Sequence, residues 1–149
     1  MRRSLLPVAF SGALLLASAS ASAPVMAQAS DHAAVDLVMQ KMLRGFEAGD
    51  PALVFDVLRR DGVVVGYSSA AGRMVTQTTE EWAKGFTGEP AADEAQRKRS
   101  YRILDVTAHA AQVKLTLDYP GWDGEDYLAL LKIDGKWMIV SKSWSGQRK

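Results

Sequence analysis

The residues best placed to do chemistry are a set of acids and phenols: Asp105, Asp118 and Asp126, with Tyr67, Tyr101, Tyr119 and Tyr127. A carboxylate held in an apolar cavity has its pKa raised by desolvation, and a donor facing it can complete an acid–base pair. Such a pair would suit a cofactor-free isomerase or dehydratase. Each acid also has a plainer reading. Asp105 lies in a strand, where Asp often marks an edge or a bulge. Asp118 alternates with Leu117 and Tyr119 and so should face water, while Asp126 follows a Gly-rich turn that it could simply terminate. Asp105 and Asp126 are the remaining catalytic candidates. Other chemistries find no support. His32 and His109 fall in different elements, no His/Cys/carboxylate cluster has metal-ligand spacing, and there is no Gly-x-Ser-x-Gly elbow or Gly-rich phosphate loop. No metal and no cofactor is expected.

The large rings offer a second chemistry. An aromatic-lined cavity binds flat or apolar ligands, although Trp and Tyr serve equally in cores and interfaces. Trp137 reads as core. Tyr67, Trp82, Tyr101, Tyr119, Tyr127 and Trp144 are the pocket candidates, with Tyr127 and Trp144 placed nearest a cavity mouth.

These side chains are positioned by a C-terminal hairpin. Two β-rich apolar runs between Tyr127 and Trp144 meet at Asp134-Gly135, and a type I′ turn needs positive φ at both central residues. That register pairs Ile133 with Lys136, Leu131 with Met138, Ala129 with Val140 and Tyr127 with Lys142 on one face. Lys132 with Trp137, Leu130 with Ile139 and Leu128 with Ser141 occupy the other. Both faces are largely apolar, so both should be covered, one by helices of the chain and the other by a second copy in a homodimer.

Upstream, Val35, Val38, Met39, Met42 and Phe46 recur at helical spacing over Asp31–Ala48, with Asp31 as N-cap and Gly49 past the C-cap. Asp50-Pro51 restarts a helix that should run to about Gly62. Val63–Tyr67 and Arg73–Thr76 read as a hairpin. Thr78-Thr-Glu-Glu81 is a capping box opening a short helix through Phe86. Residues 87–96 form a loop that could cover a pocket. Strands follow over Lys98–His109 and Ala111–Tyr119, and Pro120–Gly124 forms the turn into the closing hairpin. Helices gathered before an antiparallel sheet indicate an α+β class. A long sheet with few helices must curve around them, leaving a cone with one open end.

A basic start, an apolar stretch from Leu5 to Ala17 and small residues before Ala27 and Ala29 form the pattern of a secretory signal peptide. Cleavage after Ala27 or Ala29 is expected, giving an exported (periplasmic or secreted) protein with no membrane anchor and one domain over residues 31–147. Arg2-Arg3 leaves the choice between the general and the twin-arginine export routes open. The mature chain, having lost two Arg, carries 16 basic against 17 acidic residues. That balance gives no footprint for nucleic acid. The absence of Cys means that the core alone must stabilise the fold.

The element order resembles the nuclear transport factor 2-like superfamily, an α+β cone. Asp126–Ser143 is similar to the closing hairpin of its putative lumazine-binding family. Arg60–Tyr67 resembles that family's first strand, and Thr78–Trp82 the start of its third helix. The resemblance implies a ligand-binding cone, although the superfamily also holds enzymes and non-catalytic domains. Its ketosteroid isomerase branch uses a Tyr on the first helix, and the first helix here has none. The expectation is therefore non-catalytic binding of a small apolar or aromatic molecule. An acid–base enzyme and an interaction domain with a filled cone are the alternatives.

Overall fold

In this computed structural model of the chain, residues 23–69 and 71–149 are described, residues 23–25 by their backbone only. The expected signal peptide falls mostly on residues 1–22, outside the described residues. Two helices, α1 (Ala23–Ala48) and α2 (Pro51–Phe55), precede β1 (Leu58–Ser68) and β2 (Arg73–Thr78). A short helix α3 (Thr79–Ala83) and a 3-10 turn (Glu94–Gln96) lead to β3 (Lys98–Val106), β4 (Ala110–Tyr119), β5 (Trp122–Ile133) and β6 (Lys136–Arg148). The strands form one curved, unclosed sheet in the order β2-β1-β6-β5-β4-β3. Its concave face wraps α1, which gives the expected α+β cone. The sheet is mixed rather than wholly antiparallel, because β1 runs parallel to β6.

α1 buries the stripe Val35, Val38, Met39, Met42 and Phe46 against Val113, Leu115, Leu128, Leu130 and Ile139 of the sheet. Each such side chain contributes about 1.5–3 kcal/mol relative to exposure. Gly49 ends the helix at φ +62°, as its position suggested. The helix begins at Ala23 rather than Asp31, so Asp31 is not an N-cap. Its carboxylate accepts from Lys132 Nζ at 2.6 Å and Trp137 Nε1 at 3.1 Å, tying α1 to the tip of the β5–β6 hairpin.

α2 is shorter than its sequence implied. Asp50 caps it by accepting from the Ala52 amide at 2.8 Å, but the Val57 carbonyl accepts from Ile139 N–H at 2.8 Å. Sheet pairing captures the chain there and draws Leu58–Gly62 into β1. The irregular stretch that follows presents the carbonyls of Arg59 and Arg60, and the fully buried Thr79 hydroxyl lies 2.6 Å from both. α3 opens with the expected capping box but ends at Ala83, three residues early. β5 starts at Trp122, so the turn expected at Pro120–Gly124 is confined to Pro120-Gly121.

The closing hairpin has the expected turn, with positive φ at Asp134 (49°) and Gly135 (78°). Its first four pairs also agree with the sequence reading. Beyond them the register shifts: Ala129 faces Ser141, Leu128 faces Lys142 and Tyr127 faces Ser143. Val140 is the extra residue of a β-bulge. The expected pairs Ala129–Val140, Leu128–Ser141 and Tyr127–Lys142 are thereby corrected. A one-residue slip exchanges the two faces of a strand. From Lys142 onward the even-numbered residues of β6 therefore point into the cone.

Candidate functional site

The bulge places a cation inside the cone. Lys142 is 7% exposed and Asp126 2% exposed. Lys142 Nζ donates to Asp126 Oδ2 at 2.8 Å and lies 4.8 Å from the centre of the Trp82 ring. Asp126 sits within β5, one pleat from Leu128, and does not terminate the preceding turn. Burial pushes its carboxyl above the ordinary value, opposed by the charge and hydrogen bond of Lys142. Sequence reading missed Lys142, since strict alternation from the turn directs it outward.

Above this pair the cone opens into a cleft of about 410 Å³. One wall is aromatic. Phe46 from α1, Trp82 from α3 and Phe86 just beyond it form a triangle with centroid separations of 5.9, 5.5 and 5.1 Å. The opposite wall is Leu117 and Tyr119 of β4, with Arg97 just before β3 and Arg99 within its first residues. The rim is the 87–96 loop, contributing Thr87, Glu89 and Ala91. This loop is tied to the end of α1, where Gly88 N–H donates to the Gly49 carbonyl at 2.9 Å. A side chain at Gly49 would collide with the Glu89 carbonyl.

The two arginines are built into the β4 wall. Arg99 Nε donates to the Tyr119 hydroxyl at 2.7 Å, and its terminal nitrogens form a fork on Glu94. Burial works against the Arg99 charge, but Glu94 and Tyr119 hold its pKa above the ordinary value. Arg97 Nε donates to Asp93 Oδ1 at 2.8 Å, and its guanidinium stacks 4.5 Å from the Tyr119 ring centre. Burial raises the Tyr119 phenol, and Arg99 draws it partly back. With its oxygen accepting from Arg99, the hydroxyl of Tyr119 points its own proton elsewhere.

A second hollow, of about 240 Å³, adjoins the first across Trp82, Leu117 and Lys142. Trp122 and Trp144 line it with centroids 6.3 Å apart. Trp144 lies against Gly66 of β1, and Trp122 against Gly124 and Gly146, where an added side chain would meet the rings.

Trp82 and Tyr119 thus meet in the main cleft, and Trp144 joins Trp82 in the adjoining hollow. The remaining ring candidates lie elsewhere. Tyr67 and Tyr127 are 59% and 42% exposed on the convex face of the sheet, where their strand parity places them. Tyr101 donates to Asp36 Oδ1 at 2.7 Å, and burial followed by that carboxylate pushes its pKa up to about 12. It braces β3 against α1 and lines neither hollow. Asp105 is exposed beside a bulge in β3. Asp118 is bound by Lys149. Among the described residues no three His, Cys, Asp or Glu converge as a metal site, and no helix is long and apolar enough to cross a membrane.

Several solved structures share this architecture. An NTF2-like protein of unknown function from Shewanella baltica aligns with TM-score 0.70 and 20% identity, over 81% of this chain and 97% of that one. Another from Silicibacter pomeroyi gives 0.66 and 20%, over 80% and 98%. The association domain of C. elegans CaMKII gives 0.57 and 14%, over 79% and 97%. At such identities the likeness establishes the nuclear transport factor 2-like fold alone. No curated protein matches the sequence. The family model described as putative lumazine-binding matches residues 30–145, nearly the whole described chain, and the protein belongs to that family.

Proposed function

We propose that the protein is an exported, non-catalytic cone domain that binds a small aromatic or apolar molecule in the cleft between Trp82 and Tyr119. One observation carries this reading. The cleft, about 410 Å³, is walled by Phe46, Trp82, Phe86 and Tyr119, and its size and lining fall within the range of small-molecule pockets. The test is native mass spectrometry and thermal shift on protein purified from its native host, alongside Trp82→Ala. A ligand retained by the wild type and lost from the variant is the expected result. An empty wild-type protein that no ligand panel stabilises would overturn it.

A specific observation favours one other reading. Asp126 is buried with a raised pKa beside a cavity, which is the environment of a general acid or base. Its partner Lys142 holds it by a direct bond, however, and Tyr67, Tyr101 and Tyr127 stand outside the cavity. Proton-exchange assays on small carbonyl compounds, comparing wild type with Asp126→Asn, separate this enzyme reading from binding. We also propose a homodimer through the convex face, supported by Val63, Tyr67, Met74, Tyr127 and Leu131, all at least 40% exposed.

A further inference from the structure

We infer that the ligand of the main cleft is an aromatic anion, a planar ring bearing one carboxylate or an equivalent acidic group. This rests on the cleft being the binding site. The argument is which side of each ion pair faces the cavity. Arg97, Arg99 and Lys142 all line it, whereas their carboxylate partners Asp93, Glu94 and Asp126 do not. Asp93 and Glu94 stand behind their arginines and fix them in place, while Asp126 holds Lys142 from the side of the adjoining hollow, which it lines. The one carboxylate on the lining, Glu89, is an exposed rim residue on the loop.

Unused donors point the same way. Arg97 spends Nε on Asp93, so both terminal nitrogens lack a protein partner among the described residues. That end of a guanidinium is a planar fork suited to a carboxylate. The Tyr119 oxygen accepts from Arg99, and its hydroxyl proton is left for a ligand. Lys142 gives one N–H to Asp126 and keeps others. These donors are held by their partners before any ligand arrives, which lowers the ordering cost of binding. Facing them, the Phe46–Trp82–Phe86 triangle supplies the surface for a flat ring. A neutral aromatic fills the same space but leaves the donors unanswered, and an aromatic cation meets like charge.

The probes are 2-naphthoate, its neutral isostere 2-naphthamide and 2-naphthylmethylammonium, titrated calorimetrically into the full chain at neutral pH. Naphthoate should bind at least tenfold more tightly than the amide, and the ammonium more weakly than both. Arg97→Gln and Tyr119→Phe, checked for an unchanged melting profile, should each reduce the naphthoate affinity towards that of the amide and leave the amide affinity within twofold. Raising the salt concentration should weaken naphthoate selectively. Equal binding of naphthoate and amide would overturn the anion inference and leave the aromatic cleft standing. Failure of all three probes to bind would overturn both.

Discussion

Two buried carboxylates of this chain titrate in opposite directions, and the difference lies in their partners. Asp126 is desolvated more than Lys142 compensates, so its pKa is raised. The folded state then holds the proton more tightly than the unfolded chain does, and the associated stability is lost as pH rises through the folded value. Breaking such a pair from one side typically costs about 3–5 kcal/mol, whereas replacing both members by apolar residues is often neutral or stabilising. Lys142→Met should therefore fall in that range by urea denaturation, and Asp126→Leu/Lys142→Met should recover most of the loss. The stability of the double variant relative to wild type should rise as pH increases above the ordinary carboxylate value of 3.8. Asp31 behaves conversely. Hydrogen bonds from Lys132 and Trp137 lower its pKa, so its contribution is present above the ordinary carboxylate value of 3.8 and is lost as pH falls through the depressed one. Asp31→Asn should be less stable than wild type at neutral pH, and the two should converge in acid. A constant gap down to pH 2 would show that the carboxylate charge is not what holds the helix to the hairpin.

At the level of elements, one inserted residue decides what the cone contains. Were the intact strand to pair without its bulge, Lys142 and Trp144 would turn outward. Deleting Val140 instead removes the extra residue, so that Ala129 still faces Ser141 and Lys142 and Trp144 still point inward. The Lys142–Asp126 pair is kept, so Lys142 should stay protected from an amine-labelling reagent and the cost should fall below the roughly 3 kcal/mol of breaking the buried pair. A deletion variant whose Lys142 becomes reactive would mean that another residue of β6 takes up the bulge and shifts the strand beyond it by one. The bulge also marks the limit of what the sequence reveals. The turn at Asp134-Gly135, the capping box at Thr78, the helical stripe of α1 and the inward face of β4 are all local patterns, and all are present in the structure. The short α2, the role of Asp31 and the inward Lys142 depend on partners far along the chain. The Val57 carbonyl meets Ile139, Asp31 meets Trp137, and no local periodicity encodes either contact. For the same reason the cleft was only half legible. Trp82 and Tyr119 were identifiable as rings, but the Arg97–Arg99 wall requires the fold to bring it beside Tyr119.

On the scale of the whole molecule, the two faces of the sheet divide the work. The concave side holds the core and the cleft. The convex side carries exposed Val63, Tyr67, Met74, Tyr127 and Leu131, an arrangement that suits pairing with a second copy. Light scattering at high micromolar concentration should return a dimer mass, and Tyr127→Lys with Leu131→Lys should return a monomer with an intact cleft. A monomeric wild type would remove the dimer proposal and leave the cleft argument untouched. The parallel alignment of β1 and β6 has a consequence in time. Leu58 lies opposite Ile139, roughly 80 residues later, and non-local pairings of this kind bear a loop-closure cost before they return any stability. During synthesis β1 can pair with β2 soon after both emerge, but its other edge has no occupant until the last strand is made. The nascent domain therefore stays open, with α1's apolar stripe only partly covered, until the ribosome is almost finished. Folding of this chain is an event of its final residues, and a truncation that removes β6 should yield no folded fragment.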